Sequence, residues 1–420
     1  MWKAIFGILL FNVSVLLPAQ THSLEDYWRM ARENYPLLQG RESLIAASEL
    51  KVKNIRSTWL PQLEVSGQAS WQSDVPHVSG IPSMTFSIPS APKDQYKIAL
   101  DVSQTLFDGG RTRLRSKVEA ISGDLQLADV EAVLQQVRST VTQLFFNALM
   151  LEAQKKQLEY VSSDLNVRLA ELQVAFESGA VLKSTVQALK VERLRIQQKL
   201  IALDEAERSL LSSLALFTGQ DGIDISELAE PLDVTFETPL QRAEYEKFDL
   251  LKSQADAGIM LYGRDRLPVM AAFAQAGYGN PGYNMLQDEF DTFLMVGVKL
   301  KWTPWDWKQS RRNRGVLQNQ KEWVDYQRQS FELQQQRDFL QAAGETEQYR
   351  KMMVKDEEII QLQSEVTNEY RTQLKLGAIT SADYLAELNA EARARLDRDL
   401  HRLNYLHSLA QRQQIGTSDN

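Results

Sequence analysis

The stretch Phe107-Asp108-Gly109-Gly110 has a counterpart later in the chain, Trp305-Asp306-Trp307-Lys308. A second landmark, Glu177-Ser178-Gly179-Ala180-Val181, has the counterpart Lys375-Leu376-Gly377-Ala378-Ile379. The two landmarks are 71 residues apart in both halves, measured from Asp108 to Gly179 and from Asp306 to Gly377. Landmarks that recur in the same order and at the same spacing indicate an internal duplication. Each half is therefore predicted to contain a helix, a strand pair, a very long helix, a tight turn and a further helix.

The duplication gives a set of predicted boundaries for the 420 residues. The first repeat covers 23–240, with strands at about 62–72 and 95–106, long helices at 111–176 and 182–217, and a linker at 218–240. The second repeat covers 241–412, with strands at about 268–279 and 290–302 and long helices at 307–375 and 380–412. A signal peptide at 1–22 and a C-terminal tail at 413–420 complete the chain.

The long segments carry a heptad pattern that predicts helices packed lengthwise on other helices. In the first half, apolar residues recur at alternating steps of four and three: Val130, Leu134, Val137, Val141, Leu144, Ala148 and Leu151. The segment from Thr112 to Phe176 has 65 residues, which corresponds to a helix of roughly 100 Å. A globular domain does not need a helix of this length. The fold class is thus mainly α with a small antiparallel β part.

The strand pairs alternate with a period of two. Apolar and polar residues alternate from Gln62 to Trp71, from Tyr96 to Ser103 and from Leu294 to Trp302, whereas the parity of 269–278 is unclear. Segments of about ten alternating residues fit a tilted strand that crosses an outer membrane, and they also fit a sheet packed on a soluble core. Trp59, Trp71, Trp302, Trp305 and Trp307 lie in or beside these strands, as an interfacial aromatic girdle would require. We therefore expect a lipid-facing set of Ile98, Leu100, Val102, Val296 and Val298, with Asp101 and Lys299 facing a lumen.

The N-terminus and the composition narrow the functional classes. Lys3, the apolar run Ile5–Leu17 and Pro18-Ala19-Gln20 resemble an export signal; a membrane anchor is the alternative, although the run is short for a span. The chain has no cysteine and a formal net charge of −8, which argues against thiol chemistry and nucleic-acid binding. His22, His77, His401 and His407 show no metal-ligand spacing. No enzymatic activity, cofactor or metal is predicted.

The number of strands predicts an assembly. Four strands cannot close a barrel, and an open edge in lipid would leave backbone groups unpaired. Two copies would give eight strands and an interior filled by side chains, whereas three copies would give twelve strands and leave a lumen. A homotrimer is the smallest assembly that conducts.

The chain resembles the TolC-like outer membrane efflux proteins over nearly its whole mature length. The resemblance rests on Ala31-Arg32-Glu33-Asn34-Tyr35-Pro36, Ser57-Thr58-Trp59-Leu60-Pro61, Leu106-Phe107-Asp108-Gly109-Gly110 and the turns at Gly179 and Gly377. It implies a homotrimer in the outer membrane with a twelve-stranded β-barrel, a long periplasmic α-barrel, and a mixed belt formed by Gly219 to Leu240 and the chain termini. It also implies a periplasmic adaptor and an inner-membrane pump or ABC exporter as partners.

The resemblance further implies two kinds of functional residue at the helix turns. Asp383 occupies the first acidic position of the family's pore ring, but the second is Ala386, and Ile379 replaces a basic residue that some members have. The adaptor would contact the turns through Gly179, Ala180, Val181, Gly377, Ala378 and Ile379. The predicted function is a passive outer-membrane channel subunit of a tripartite efflux pump or type I secretion system. The alternative is a periplasmic coiled-coil scaffold, which would not need the alternating strands.

Overall fold

The computed structural model describes residues 21–75, 90, 92–231, 242–284 and 288–415. The predicted signal peptide lies outside these residues except for its last two positions. The helices are α1 (Leu24–Asn34), α2 (Pro36–Gln39), α3 (Arg41–Ser57), α4 (Arg111–Glu177), α5 (Lys183–Thr218), α6 (Ala243–Gly263), α7 (Gln309–Lys375) and α8 (Ser381–Ile415). The strands are β1 (Gln62–Trp71), β2 (Asp94–Phe107), β3 (Val269–Asn280) and β4 (Asp291–Lys301). This arrangement confirms the predicted fold class of long helices with a small antiparallel sheet.

The duplication is visible in the two longest helices, α4 and α7, which have 67 residues each. Asp108 begins α4 by accepting hydrogen bonds from the backbone N–H groups of Gly110 and Thr112 at 2.7 and 2.6 Å. Asp306 begins α7 in the same way, accepting from the N–H groups of Lys308 and Ser310 at 3.0 and 2.8 Å. A carboxylate at this position satisfies helix N–H groups that have no partner within the helix. The two landmark aspartates therefore have one structural role.

Two predictions about the helices need correction. The first half has three helices before its strands and not one, because the chain leaves α1 at Tyr35, which precedes Pro36 and is biased away from helical backbone. The C-terminal tail was predicted to begin at 413, but α8 continues to Ile415. Gln414 in this last turn is buried, and its side-chain amide donates to the Thr142 hydroxyl.

The chain divides into two compact units. The helical unit comprises the described parts of 1–39, 131–242 and 332–420, and the sheet unit comprises those of 40–130 and 243–331. A first apolar cluster in the helical unit surrounds Phe145 and Phe146 of α4, both fully buried, with Tyr27 of α1 and Leu406 of α8 packed around them. Replacing a buried phenylalanine of this kind with alanine lowers the free energy of unfolding by about 3–5 kcal/mol.

A second apolar cluster in the helical unit joins α4, α5 and α8. Its fully buried members include Leu165, Leu189, Tyr384 and Leu388. They belong to the heptad-patterned helices that end or begin at the turns after α4 and after α7. The second apolar cluster therefore fixes the helix ends that carry these two turns.

The sheet unit contains one antiparallel sheet in the order β1-β2-β3-β4. Its register pairs Glu64 with Asp101, Leu100 with Ala276, and Ala274 with Val296. Directly paired residues project to the same face of a sheet. The register therefore assigns the paired strand residues to one of two faces as far as Thr105, where a β-bulge shifts the pairing of β2 with β3.

Candidate functional site: the sheet faces and the helix turns

One face of the sheet is apolar and open. The register places on it Leu63, Val65, Ile98, Leu100, Val102, Ala272, Ala274, Ala276, Leu294, Val296, Val298 and Leu300. Val65 and Val296 are 72% and 70% exposed in the single chain. The five residues predicted to face lipid all lie here; four are exposed and Val102 is half-buried. A soluble monomer rarely exposes a continuous apolar face of this kind, so this face requires an apolar environment or partner.

The opposite face of the sheet carries polar side chains that bridge neighbouring strands. The Asp101 carboxylate accepts hydrogen bonds from the Ser66 hydroxyl at 3.0 Å and from the Gln275 amide at 2.6 Å. Lys97 donates to the Gln275 carbonyl oxygen at 3.1 Å and lies 4.9 Å from the centroid of the Phe293 ring. These contacts connect β1, β2, β3 and β4. Asp101 and Lys299, predicted to face a lumen, are both on this polar face.

The two faces settle the parity that the sequence left unclear. Residues 272–277 alternate alanine with phenylalanine, glutamine and glycine, and the alanines at 272, 274 and 276 occupy the apolar face. Gly277 and Gly297 lie on the polar face, where the Phe293 and Phe273 rings cover them. The bulky residues of β3 and β4 on this face therefore pack over cross-strand glycines.

The sheet ends in two edges within the described part of the chain. β1 and β4 each pair on one side only, so each presents a row of unpaired backbone N–H and C=O groups. Such edges bind other strands readily. The two edges are suited to pairing with strands of a neighbouring chain, and the apolar face is suited to an apolar environment.

The turns after α4 and α7 have matching geometry. Gly179 and Gly377 have φ values of 77° and 69°, in the left-handed region that glycine adopts without steric cost. The N–H of Ala180 donates to Ala175 and the N–H of Ala378 donates to Gln373, at 2.8 and 3.0 Å. Each helix thus ends in the same hydrogen-bonded turn.

The predicted adaptor-contact residues divide into two groups. Gly179, Ala180, Gly377 and Ala378 are exposed, whereas Val181 and Ile379 are half-buried and pack on the second apolar cluster. Two residues that the sequence analysis missed are more prominent: Leu182 and Leu376 are 74% and 79% exposed. The sequence does carry a signal for these two residues, because each is a large apolar residue close to a turn glycine. The apolar surface of the turns includes these two leucines.

Asp383 forms a capping box with Thr380 at the start of α8. Its carboxylate accepts from the Thr380 N–H at 2.9 Å and from the Thr380 hydroxyl at 2.6 Å, and its own N–H donates to that hydroxyl. These hydrogen bonds hold the pKa of the Asp383 carboxyl below its usual value. The side chain is exposed. The capping role is established within one chain, and the role of Asp383 in a pore ring stays a prediction.

Tyr384, the next residue, connects helices and was missed by the sequence analysis. Its side chain is fully buried, and its hydroxyl donates to the Asp164 carboxylate at 2.8 Å, which ties α8 to α4. Arg168, one turn along α4, forms an ion pair with Glu171 at 2.6 Å. Burial raises the pKa of the Tyr384 hydroxyl. Nothing in the spacing of these residues signalled the contact, because it joins positions 220 residues apart.

The turn before each long helix differs between the halves. Gly109 and Gly110 have φ values of 67° and 83°, and their counterparts Trp307 and Lys308 have φ values of 53° and 67°. A bulky residue with positive φ is strained. The Trp307 ring is 78% exposed and contacts the Trp305 ring edge-on, with centroids 5.9 Å apart. The second half therefore retains an exposed tryptophan in a backbone conformation that favours glycine.

The helices also leave apolar residues uncovered at heptad spacing. Leu194 and Ile201 of α5 are 54% and 63% exposed, and Leu333 and Leu340 of α7 are 68% and 63% exposed. Residues seven apart lie on the same side of a helix. The described residues of the single chain leave these stripes exposed, and the stripes fit packing against further helices.

Other site chemistries find little support in the described residues. No group of three histidine, aspartate or glutamate side chains in the described part could hold a metal ion. Across the same residues, none of the helices is both long and apolar enough to span a membrane.

Comparisons with known proteins agree with this geometry. Residues 28–219 match the family model described as outer membrane efflux protein. No curated protein matches by sequence. Among solved structures, the chain resembles the outer membrane protein VceC of Vibrio cholerae at 14% identity and a TM-score of 0.69, with 94% of this chain and 96% of that chain covered.

Two further structures have the same fold. The CmeC outer membrane channel of Campylobacter jejuni is 15% identical, covers 94% of this chain and 87% of its own, and has a TM-score of 0.69. The MtrE outer membrane channel of Neisseria gonorrhoeae is 16% identical, covers 93% of this chain and 88% of its own, and has a TM-score of 0.66. At these identities the structures establish the fold, and the family model adds the sequence relationship. Residues 28–219 therefore resemble the outer membrane efflux protein family, and the solved structures share the fold of this chain.

Proposed function

We propose that the chain is one subunit of an outer-membrane channel that passively conducts substrates from periplasmic partners to the exterior. The observation that carries the proposal is the four-stranded sheet, which has an exposed apolar face, a polar opposite face and two free edges. An apolar face suits lipid, and a polar face suits a water-filled lumen. A sheet with both faces and unpaired edges fits one segment of a closed barrel.

Three copies fit the sheet best. Twelve strands enclose a lumen, whereas eight leave an interior filled by side chains. The uncovered heptad stripes of α5 and α7 then find partners on neighbouring subunits. The same long helices would form a periplasmic α-barrel that continues the duct.

The lipid-facing and partner-facing roles follow from the exposed residues. Ile98, Leu100, Val102, Val296 and Val298 would contact outer-membrane lipid. The turns at Gly179 and Gly377, extended by Leu182 and Leu376, would contact a periplasmic adaptor, which connects the duct to an inner-membrane pump or ABC exporter. Asp383 would contribute a carboxylate near the pore axis at this end.

The competing hypothesis of a coiled-coil scaffold explains the long helices but not the apolar face of the sheet. Reconstitution separates the two functions. Purified outer-membrane protein added to planar lipid bilayers should give stepwise conductance increments, each from one inserted trimer. Protein that fractionates with soluble periplasmic material and leaves bilayers unchanged would support the scaffold instead.

A further inference from the structure

A cavity of about 400 Å³ lies between α3 and the start of α4, in the sheet unit. Three basic residues line it, Arg56, Arg113 and Lys117, together with the Trp59 ring and the hydroxyls of Thr112 and Ser116. Val52 and Ala120 supply apolar walls. None of the described residues that line the cavity is acidic, so the lining carries a net positive charge.

The cavity's basic residues lack the ion pairs that their neighbours have. Lys51 forms an ion pair with Glu119 at 3.3 Å, and Arg111 with Asp265 at 3.6 Å. Within the described residues, Arg56, Arg113 and Lys117 have no acidic group within 4 Å. Three cations without an ion pair thus line one cavity, although Arg115, which does not line it, also has none among the described residues.

Ser116 provides an independent sign of a missing ligand. It is only 6% exposed, yet its hydroxyl oxygen has no hydrogen-bond partner among the described residues. Buried hydroxyls nearly always have partners, because an unpaired one loses its bonds to water. A hydroxyl that faces cations is suited to donate to an anion.

The helix terminus does not explain this site. The N–H groups of Gly110 and Thr112 already donate to Asp108, so they are not free for a ligand. The first turn of α4 has no acidic residue, although the helix dipole disfavours cations there. An anion bound by the side chains would relieve this unfavourable arrangement.

The duplicated half lacks the same set of side chains, so the fold does not demand it. Aligned on Asp108 and Asp306, the positions of Arg113, Ser116 and Lys117 are occupied in the second half by Arg311, Arg314 and Gly315. Aligned on Leu60-Pro61 and Leu267-Pro268, which each stand shortly before a strand, Arg56 and Trp59 correspond to Gly263 and Arg266. The aligned positions of the second half thus hold three arginines but no serine and no tryptophan, so the combination of cations with a buried hydroxyl and an indole ring belongs to the first half.

We propose that this cavity binds the phosphate group of an anionic phospholipid. Arginine and lysine recognise phosphate oxygens by charge-assisted hydrogen bonds, and the Trp59 ring and the apolar walls suit the glycerol and upper acyl region. Trp59 is three positions before Gln62, the first residue of β1, so the site adjoins the sheet whose apolar face is assigned to lipid. The inference rests on the proposed function, because that function places this sheet in a bilayer.

Native mass spectrometry of the full protein in a neutral detergent tests the proposal. Phosphatidylglycerol should bind in preference to phosphatidylcholine, which has a phosphate but no net charge. The double variant Arg113→Gln/Lys117→Gln should bind phosphatidylglycerol about tenfold or more weakly, since two charge-assisted contacts are lost. Ser116→Ala, which keeps every charge, should weaken binding about fivefold.

The matched control is Arg311→Gln/Arg314→Gln, which removes the same charge at the start of α7 and should change binding less than about twofold. Equal losses in the two double variants would overturn the site. If glycerol 3-phosphate competes for the site with the same affinity as phosphatidylglycerol, the ligand is not a lipid and this assignment is overturned. Conductance is measured on the same samples: conducting wild-type protein with no preference for phosphatidylglycerol refutes this inference alone, whereas failure to insert refutes the proposed function.

Discussion

Alanine substitutions in the turn between β2 and α4 should separate backbone strain from steric overlap. Gly109 and Gly110 both have positive φ, which costs an L-residue ~1–2 kcal/mol. A Cβ atom on Gly110 would meet nothing within 4 Å, whereas one on Gly109 would lie 2.9 Å from both Cβ and Cδ1 of Leu267. We predict that both substitutions destabilise the protein and that Gly109→Ala does so more.

The magnitudes follow from these contacts. In Gly110→Ala the strain is offset in part or in full by the ~0.5–1 kcal/mol that alanine contributes by restricting the unfolded chain, which leaves a net loss of about 0–1.5 kcal/mol. Gly109→Ala adds an overpacking cost of ~1–3 kcal/mol. The Leu267 Cβ is fixed to its own backbone and cannot rotate away. The expected total for Gly109→Ala is about 1–4.5 kcal/mol.

Urea titration of protein refolded into lipid vesicles measures the difference, at one protein concentration because the assembly dissociates on unfolding. Lys308→Gly is the reverse control: Lys308 is the counterpart of Gly110 with a φ of 67°, and its replacement should raise stability by up to ~1 kcal/mol. Gly109→Ala no more destabilising than Gly110→Ala, or a loss of stability in Lys308→Gly, would refute the reasoning.

Three further predictions concern the sheet, the turns and the helical unit. Val296→Arg on the apolar face should cost ~2–4 kcal/mol of membrane-inserted stability, whereas Met295→Arg on the polar face should be tolerated; equal loss of assembled protein, scored as heat-resistant trimer on a gel, contradicts the assignment of faces. Asp383→Asn should keep assembly but reduce cation selectivity in bilayer recordings, and Thr380→Ala, which removes the cap and keeps the charge, should not; unchanged selectivity in Asp383→Asn removes this residue from the pore. Burial lowers the pKa of His407 below its usual 6.5, although Glu345 opposes the shift. The unfolded chain therefore takes up a proton below pH 6.5 that the folded chain resists, and stability should fall as pH drops below this value, until the folded pKa is passed. Urea midpoints between pH 8 and 5 should show this fall in the wild type and a smaller one in His407→Phe, and identical pH profiles would rule out His407 as its source.

Sequence patterns predicted the parts of the fold that are periodic. The heptad pattern of the first half predicted α4, the duplication predicted α7, and alternation predicted β1, β2 and β4, because each pattern repeats over many residues. The parity of β3 was not predictable, since alanine and glycine distinguish the two faces poorly. The residues of β3 were assigned to the two faces of the sheet by their pairing with β2 and β4, which is a tertiary property.

The candidate site residues were predictable only as far as local chemistry determines them. The turn glycines have positive φ, as expected for glycine in the predicted tight turns. The side chains beside them differ in exposure: Val181 and Ile379 are half-buried, whereas Leu182 and Leu376 are exposed. This difference depends on packing between helices. The strain at Trp307 and the unpartnered hydroxyl of Ser116 have no sequence signature. Both arise from backbone geometry or from neighbours distant in the chain.

The central claim, a closed ring of three subunits, is tested most directly by cross-linking the two free sheet edges. The chain has no cysteine, so Val65→Cys in β1 can be combined in turn with cysteine at 294, 296, 298 or 300 in β4. Within one chain β2 and β3 separate these edges by three strand spacings, about 14 Å, which is too far for a disulfide. Oxidation in outer membranes should therefore give covalent dimers and trimers for at least one pair, and no larger species, because the ring closes at three. A ladder beyond the trimer, products that stop at the dimer, or no intermolecular cross-link at any position would contradict the account.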